Sequence, residues 1–287
     1  MNKTFGFSFF EHVFTFGRMI RFSHTIFALP FALSAVVLAQ RQAPLTGTKF
    51  FWIIMAMVGA RSAAMGVNRI ADARIDSRNP RTTEREIPSG KLSIFATGLF
   101  VICFSALFIL SAALLGKLCF YLSFPALLVL FSYSFTKRFT WLCHIYLGFA
   151  ISLAPLGAWI AVTGSFSLSI FLLSLALLTY IAGFDILYAC QDYQFDITEG
   201  LHSVPSRFGV QKSLRASSAF HIASFLFFFS LYFTFEMGTI YLAAVFLIGA
   251  FFYIEQRIIK PHDLSHINIA FLYEQPYFDH ASVRRAG

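Results

Sequence analysis

The sequence has few charged residues and few cysteines. Of its 287 residues only 13% are Asp, Glu, Lys or Arg, whereas 57% are hydrophobic, and the mean hydropathy is +0.70. A soluble domain carries about 25% charged residues, so this class of protein is excluded. The four cysteines form no C-x-x-C pair, which argues against a disulfide framework and against a zinc site. They lie in or beside apolar runs: Cys103, Cys119, Cys143 and Cys190.

Long apolar runs recur along the chain and predict an all-α, polytopic membrane helix bundle. About 18 or more apolar residues in a row can cross a hydrocarbon core roughly 30 Å thick. We expect the first span to be retained, because no clear signal-peptide cleavage site follows it. We predict eight spans, at residues 22–40, 50–68, 93–115, 118–136, 142–162, 167–190, 215–235 and 239–256. The predicted units are a cytoplasmic amphipathic segment at 1–21, a transmembrane domain at 22–260 and a C-terminal tail at 261–287.

The basic residues predict the orientation of this bundle. With the N-terminus in the cytoplasm, only Arg41, Lys49 and Lys117 fall in outer connections, in agreement with the positive-inside rule. The net charge of +8 therefore reflects membrane topology and does not indicate a nucleic-acid partner. The long polar connections, at about 68–91 and 191–214, are both on the inner side. We expect a central cavity that opens to the cytoplasmic side of a bacterial inner membrane.

The first of these connections opens on a line of polar side chains. If the second span continues as a helix, Asn68, Asp72 and Asp76 occupy successive turns of one face, because residues four apart are neighbours on a helix. Two carboxylates one turn apart repel each other unless a cation neutralises them. Magnesium suits such a pair, because it prefers oxygen ligands and leaves part of its shell to substrate phosphates.

The second connection repeats the pattern. Asp192 and Asp196 are again four apart, and Asp185 and Tyr188 lie one to two turns deeper, after a strongly apolar run. An ionisable residue within the membrane is by default a functional candidate. A single D-x-x-x-D at a helix end is often only a solvated pair. Here five of the 14 acidic residues form two matching clusters on one side of the membrane, which favours a metal site.

Basic residues near both clusters help to distinguish a cation transporter from a protein that binds a metal-diphosphate. A cation transporter would need the carboxylates alone, whereas a metal-diphosphate site also needs donors for phosphate oxygens. Arg85 follows the first cluster, and Lys137 and Arg138 follow the fourth span. These three residues favour a metal-diphosphate site. Transport of divalent cations or phosphorylated lipids would also require access from both faces, whereas the polar residues concentrate on one face.

The two motifs resemble those of the UbiA-type family of membrane prenyltransferases, N-x-x-x-D-x-x-x-D and D-x-x-Y-x-x-x-D-x-x-x-D. Both are complete, and the resemblance covers about residues 18–260. Within the family the sequence is most similar to the 4-hydroxybenzoate polyprenyltransferase-like branch, part of which is associated with menaquinone made through futalosine. Further agreement is found at 85–90, 133–138, 147–148 and 154–156. The branch resemblance rests on 183–192 and 200–205.

The resemblance implies a reaction and a role for each motif. It implies magnesium-dependent transfer of a polyprenyl group from polyprenyl diphosphate to 4-hydroxybenzoate or a dihydroxynaphthoate, in ubiquinone or menaquinone biosynthesis. The metal ligands would be Asp72, Asp76, Asp192 and Asp196. The diphosphate would be bound by Arg85, Lys137 and Arg138. The residues at the reacting atoms would be Asn68, Asp185 and Tyr188.

The chain departs from the family at its C-terminus. Family members usually have nine spans, but after residue 260 only 267–273 is apolar, so no ninth span of normal length is predicted. A CDP-alcohol phosphotransferase is the nearest alternative enzyme, since it also carries membrane aspartates four apart. Its D-G-x-x-A-R opening is absent, because Ala73 follows Asp72.

Overall fold

A computed structural model describes residues 15–17, 19 and 29–259. All regular secondary structure in this part of the chain is helical, which confirms the predicted all-α class. Most of the predicted N-terminal segment 1–21 lies outside the described residues. The same is true of residues 22–28 of the first predicted span and of the whole tail 261–287, including the stretch where a ninth span would lie.

Between residues 29 and 259 the chain forms ten α-helices and one 3-10 helix. The first five are α1 (Leu29–Ala39), α2 (Gly47–Asp76), α3 (Ile94–Leu115), α4 (Lys117–Thr136) and α5 (Cys143–Thr163). The others are α6 (Leu168–Ala189), a 3-10 turn (Cys190–Asp192), α7 (Tyr193–Thr198), α8 (Val204–Phe208), α9 (Val210–Thr234) and α10 (Thr239–Ile258).

Seven of the described helical segments are long and apolar enough to cross a membrane. They coincide with the second to eighth predicted spans. The first predicted span is represented by α1, an apolar helix of 11 residues over the described positions. The helix of the second predicted span extends beyond its apolar stretch, since α2 has 30 residues and ends at Asp76. Its last two turns therefore carry the first aspartate motif on a continuous helix, as the four-residue spacing requires.

The bundle is held together by close helix–helix contacts at small residues. Within a membrane, burial of apolar surface gives little driving force between helices, so close backbone approach matters more. Gly148 of α5 faces the backbone of α6: a Cβ added there would overlap the carbonyl oxygen of Leu178 and lie 3.3 Å from Ala182 N. The fully buried Trp159 lies three turns further along α5. The α5–α6 pair therefore sets the position of the second aspartate motif.

We expect Gly148→Ala to destabilise the protein by about 1–3 kcal/mol, because the new methyl group forces α5 away from α6. The matched control is Gly157→Ala on the same helix, where an added Cβ meets nothing within 4 Å. This control should be neutral or stabilise by at most about 1 kcal/mol, since Ala is the better helix former. Thermal unfolding in detergent checks both. Equal stability of the two variants would contradict the close-packing interpretation.

Candidate active site

The two aspartate motifs meet through the connection between α2 and α3. Asn79 Nδ2 donates a hydrogen bond to Asp192 Oδ1 at 3.1 Å. Arg81 binds the same carboxylate with two nitrogens, Nε to Oδ1 at 3.1 Å and Nη2 to Oδ2 at 2.5 Å. Residues that follow the first motif thus bind the second one directly. The structure thus brings the two aspartate motifs together at one end of the bundle, as predicted.

Arg81 is a site residue that the sequence analysis did not single out. Besides Asp192, it donates from Nη1 to the hydroxyl of Tyr188 at 2.6 Å, and its guanidinium lies 4.9 Å from the centre of the Tyr188 ring. A planar, bidentate donor of this kind suits phosphate oxygens as well as carboxylates. The connection holds several arginines, and nothing in the local sequence distinguishes Arg81 from Arg78 or Arg85.

Each carboxylate of the first motif has a basic partner. Asp76, at the end of α2, accepts two hydrogen bonds from Arg85 Nη1, at 2.8 and 2.7 Å. Asp72 accepts from Asn68 Nδ2 at 2.9 Å and from Arg138 Nη2 at 3.3 Å. The predicted residues Asn68, Arg85 and Arg138 therefore contact the predicted aspartates.

Lys137 provides the corresponding partner for the second motif. Asp196 is 0% exposed, and Lys137 Nζ lies 2.7 Å from its Oδ1 atom. Burial disfavours the charged lysine, but the Asp196 carboxylate outweighs burial and holds the pKa of Lys137 above its ordinary value. Lys137 is therefore an ammonium ion at neutral pH. Since Lys137 and Arg138 are adjacent in the chain, the end of α4 binds both motifs at once.

Asp185 has a different kind of partner. Its Oδ2 atom lies 2.6 Å from Nδ1 of His144, at the start of α5. The His144 side chain is 3% exposed, whereas that of Asp185 is 30% exposed. Asp185 belongs to a recognisable motif, whereas His144 does not, because a lone histidine in an apolar span has no distinguishing pattern.

Arg61 is a third residue to which the sequence motifs assign no role. It lies two turns deeper than Asn68 on the same face of α2, and its Nε atom is buried without a hydrogen-bond partner among the described residues. An arginine within a membrane span is costly, so it marks a functional position by default. Its charge can offset one negative charge of a bound anion.

The donor set fits a hard divalent cation. In the described part of the chain, no three His, Cys, Asp or Glu side chains converge as a ready-made metal cage. Instead, two pairs of carboxylates form ion pairs with basic side chains, and a phosphate group can compete with the carboxylates for these basic side chains. Magnesium is usually bound by one or two carboxylates while substrate phosphates and water complete its shell. Asp72, Asp76, Asp192 and Asp196 provide carboxylates of this kind.

Comparison with known proteins decides the family. The pattern of the UbiA prenyltransferase family matches residues 28–282. The chain belongs to the UbiA prenyltransferase family. It is 29% identical to the 4-hydroxybenzoate octaprenyltransferase of Vibrio parahaemolyticus over 213 residues, 74% of each chain. It is 36% identical to the Nitrosomonas eutropha protein of the same name over 161 residues, 54% of each chain.

Solved structures of the UbiA fold are similar to this chain. The apo structure of a homologue from Aeropyrum pernix has a TM-score of 0.80 and 31% sequence identity, and it covers 87% of this chain and 94% of its own. A homologue from Archaeoglobus fulgidus, bound to GPP and Mg2+, has a TM-score of 0.69 and 20% identity, with 89% and 95% covered. The second likeness shows the shared fold.

UbiA membership confirms the prediction of a membrane enzyme that transfers prenyl groups. It decides against a transporter and against a CDP-alcohol phosphotransferase. The narrower resemblance to the futalosine-associated branch stays a prediction, as do the roles of the individual site residues.

We expect Lys137→Met to destabilise the protein by about 3 kcal/mol, because it leaves the Asp196 carboxylate buried and unpaired. This value is at the lower end of the free-energy cost of breaking a buried ion pair, because the lysine side chain is itself 36% exposed. The double variant Lys137→Met/Asp196→Asn should regain most of the loss. Unfolding in denaturant at pH 7 measures both.

The control is Lys91→Met, whose partner Glu84 is 3.9 Å away and 91% exposed. An exposed pair contributes about 0–1 kcal/mol, so this variant should be close to neutral. If Lys137→Met were as mild as Lys91→Met, the ion pair with Asp196 would not be structurally important.

Proposed function

We propose that this protein transfers a polyprenyl group from polyprenyl diphosphate to an aromatic acid, either 4-hydroxybenzoate or a dihydroxynaphthoate, in quinone biosynthesis, and that the reaction depends on Mg2+. The observation that carries the proposal is the convergence of two carboxylate pairs with four bases at one end of the bundle. The names of the relatives in Vibrio parahaemolyticus and Nitrosomonas eutropha support an aromatic acceptor. The magnesium-bound homologue from Archaeoglobus fulgidus supports the metal.

In the proposed reaction the bases exchange one anion for another. Arg81, Arg85, Lys137 and Arg138 each contact a motif aspartate in this structure. A diphosphate carries more charge and more acceptor oxygens than a carboxylate, so it competes for these donors. As the bases turn to the phosphates, the four aspartates become available to hold the cation that accompanies the substrate.

Stabilisation of the leaving diphosphate is then shared between this cation and the bases. Mg2+ would supply charge neutralisation at the phosphate oxygens as the allylic carbon–oxygen bond breaks. Arg85 and Lys137 would bind further oxygens of the same group. Aromatic rings lie deeper on α6, where Tyr180 and Phe184 are 5.9 Å apart. Ring faces of this kind can stabilise the developing allylic cation and exclude water.

The aromatic acceptor would bind near Asp185 and Asn68. The carboxylate of Asp185 is partly open and can accept the hydrogen bond of the acceptor's hydroxyl group, which increases the electron density of the ring. Asn68 holds Asp72 at 2.9 Å and would align the acceptor with the donor. Tyr188 binds Arg81 and would place that arginine against the diphosphate. The buried charge of Arg61 is available for the acid group of the acceptor.

The test is prenyl transfer by membranes that contain the protein, supplied with a polyprenyl diphosphate and 4-hydroxybenzoate or 1,4-dihydroxy-6-naphthoate. We expect product with Mg2+ and none with EDTA. Asp72→Asn and Asp192→Asn should each lower turnover by about 100-fold or more, as loss of a group that stabilises developing charge does. Both variants should still insert and fold. Glu84→Gln is the control: this carboxylate is 91% exposed in the same connection and should keep full activity.

The acceptor that reacts would distinguish the ubiquinone from the menaquinone pathway. Near-normal turnover of either Asn variant would remove the metal assignment. Absence of product with both acids, from protein that is folded and inserted, would overturn the proposed acceptor class.

We further propose that the site faces the cytoplasm, as the positions of the basic residues predict. In a cysteine-free background, a membrane-impermeant maleimide added to intact cells should label Lys117→Cys, at the start of α4, and leave Glu84→Cys unlabelled. Both positions are exposed, so both should react once the membrane is opened. The reverse labelling pattern would place the site on the other side.

A further inference from the structure

His144 is fixed on both sides of its ring. Its Nδ1 atom lies 2.6 Å from Asp185 Oδ2. Its Nε2 atom accepts a hydrogen bond from the backbone N–H of Val204, at 3.2 Å. Val204 is the first residue of α8, and its position is set by a capping box in which Ser203 and Ser206 bond reciprocally. The imidazole therefore connects α6 with the second inner connection.

These two contacts determine where the proton of the ring is. Next to a carboxylate, an imidazole would ordinarily tend to take up a second proton. Here the backbone N–H of Val204 points at Nε2, and a backbone amide can only donate. Nε2 must therefore carry a lone pair, which leaves the single proton on Nδ1, directed at Asp185. The ring is neutral, and its buried position prevents rotation to another partner.

The consequence for Asp185 is directional. One carboxylate oxygen is held from behind by the Nδ1–H group, while the side chain as a whole is 30% exposed. A carboxylate fixed in this way presents its other oxygen in a constant direction.

We propose that His144 is the positioning residue of the transfer reaction: it keeps the Asp185 carboxylate aimed at the acceptor, and it takes no part in moving the proton. This inference rests on the proposed function, in which Asp185 contacts the aromatic acceptor. His144 cannot act as a proton relay, because its second nitrogen is already occupied by Val204. The proton that the acceptor releases must leave through Asp185 or the diphosphate.

A double-mutant cycle tests the inference in the full-length protein. His144→Leu should lower kcat by about 10- to 100-fold, by analogy with the loss of an outer hydrogen-bond partner of a metal ligand. The KM for polyprenyl diphosphate should change less than twofold, because the donor site is untouched. In an Asp185→Asn background, His144→Leu should have no further effect on kcat. A residue that acts only through packing would give independent, additive losses, and that result would overturn the inference.

A conservative variant separates orientation from folding. His144→Asn keeps an N–H donor close to the position of Nδ1 and loses the acceptor for Val204. We expect its kcat to lie well above that of His144→Leu, even if its stability is lower. If His144→Leu and His144→Asn lose kcat equally while both remain folded, the donor to Asp185 is not what matters and the inference is wrong.

A spectroscopic measurement keeps the inference separate from the proposed acceptor. In 15N-histidine-labelled protein, with the signal assigned by its loss in His144→Leu, His144 should show one protonated and one unprotonated nitrogen, with the proton on Nδ1. A doubly protonated ring at pH 7, or a proton on Nε2, would overturn the inference even if the enzyme is active. The Nδ1–H form in a protein that prenylates neither acid would support the geometry of His144 and refute only the acceptor class.

Discussion

Charge compensation at the end of the bundle that carries the aspartate motifs is the constraint on which the rest of the structure depends. Carboxylates at a membrane boundary are costly unless a cation accompanies them. The chain meets this requirement with one base for each motif aspartate: Asp72 with Arg138, Asp76 with Arg85, Asp192 with Arg81 and Asp196 with Lys137. Three of these pairs join segments that are distant in sequence, whereas Asp76 and Arg85 are nine residues apart. The same contacts that hold the bundle's end together are therefore those that a metal-diphosphate would have to replace.

This arrangement links stability to ligand binding. A site made only of carboxylates would repel itself without metal, and a site made only of bases would repel itself without phosphate. A neutral set of paired charges is stable without either ligand. In the proposed reaction the diphosphate would take the bases and the accompanying cation would take the carboxylates, so neither set of charges would be left unpaired. The surrounding helices, packed at small residues such as Gly148, provide the rigid frame within which the partners can be exchanged.

The sequence predicted the helical class, seven of the long helices and the two aspartate clusters, because these depend on local patterns. Apolar length marks a span, and a four-residue spacing puts Asn68, Asp72 and Asp76 on one face wherever the chain is helical. Arg81 and His144 were missed for the opposite reason. Arg81 binds Asp192 across 111 positions, and His144 meets Asp185 across 41 positions. Such pairings depend on how helices cross, and they leave no periodic signal in either segment.

The placement of Lys137 and Arg138 next to each other limits how this part of the chain can vary in length. Lys137 contacts Asp196 and Arg138 contacts Asp72. Two ion pairs, one to each aspartate motif, therefore depend on the position of a single peptide unit. A change of side chain alters one of these ion pairs. An inserted or deleted residue would turn the pair by about 100° around the helix axis and lose both together. The length of this segment is thus more strictly determined than its composition.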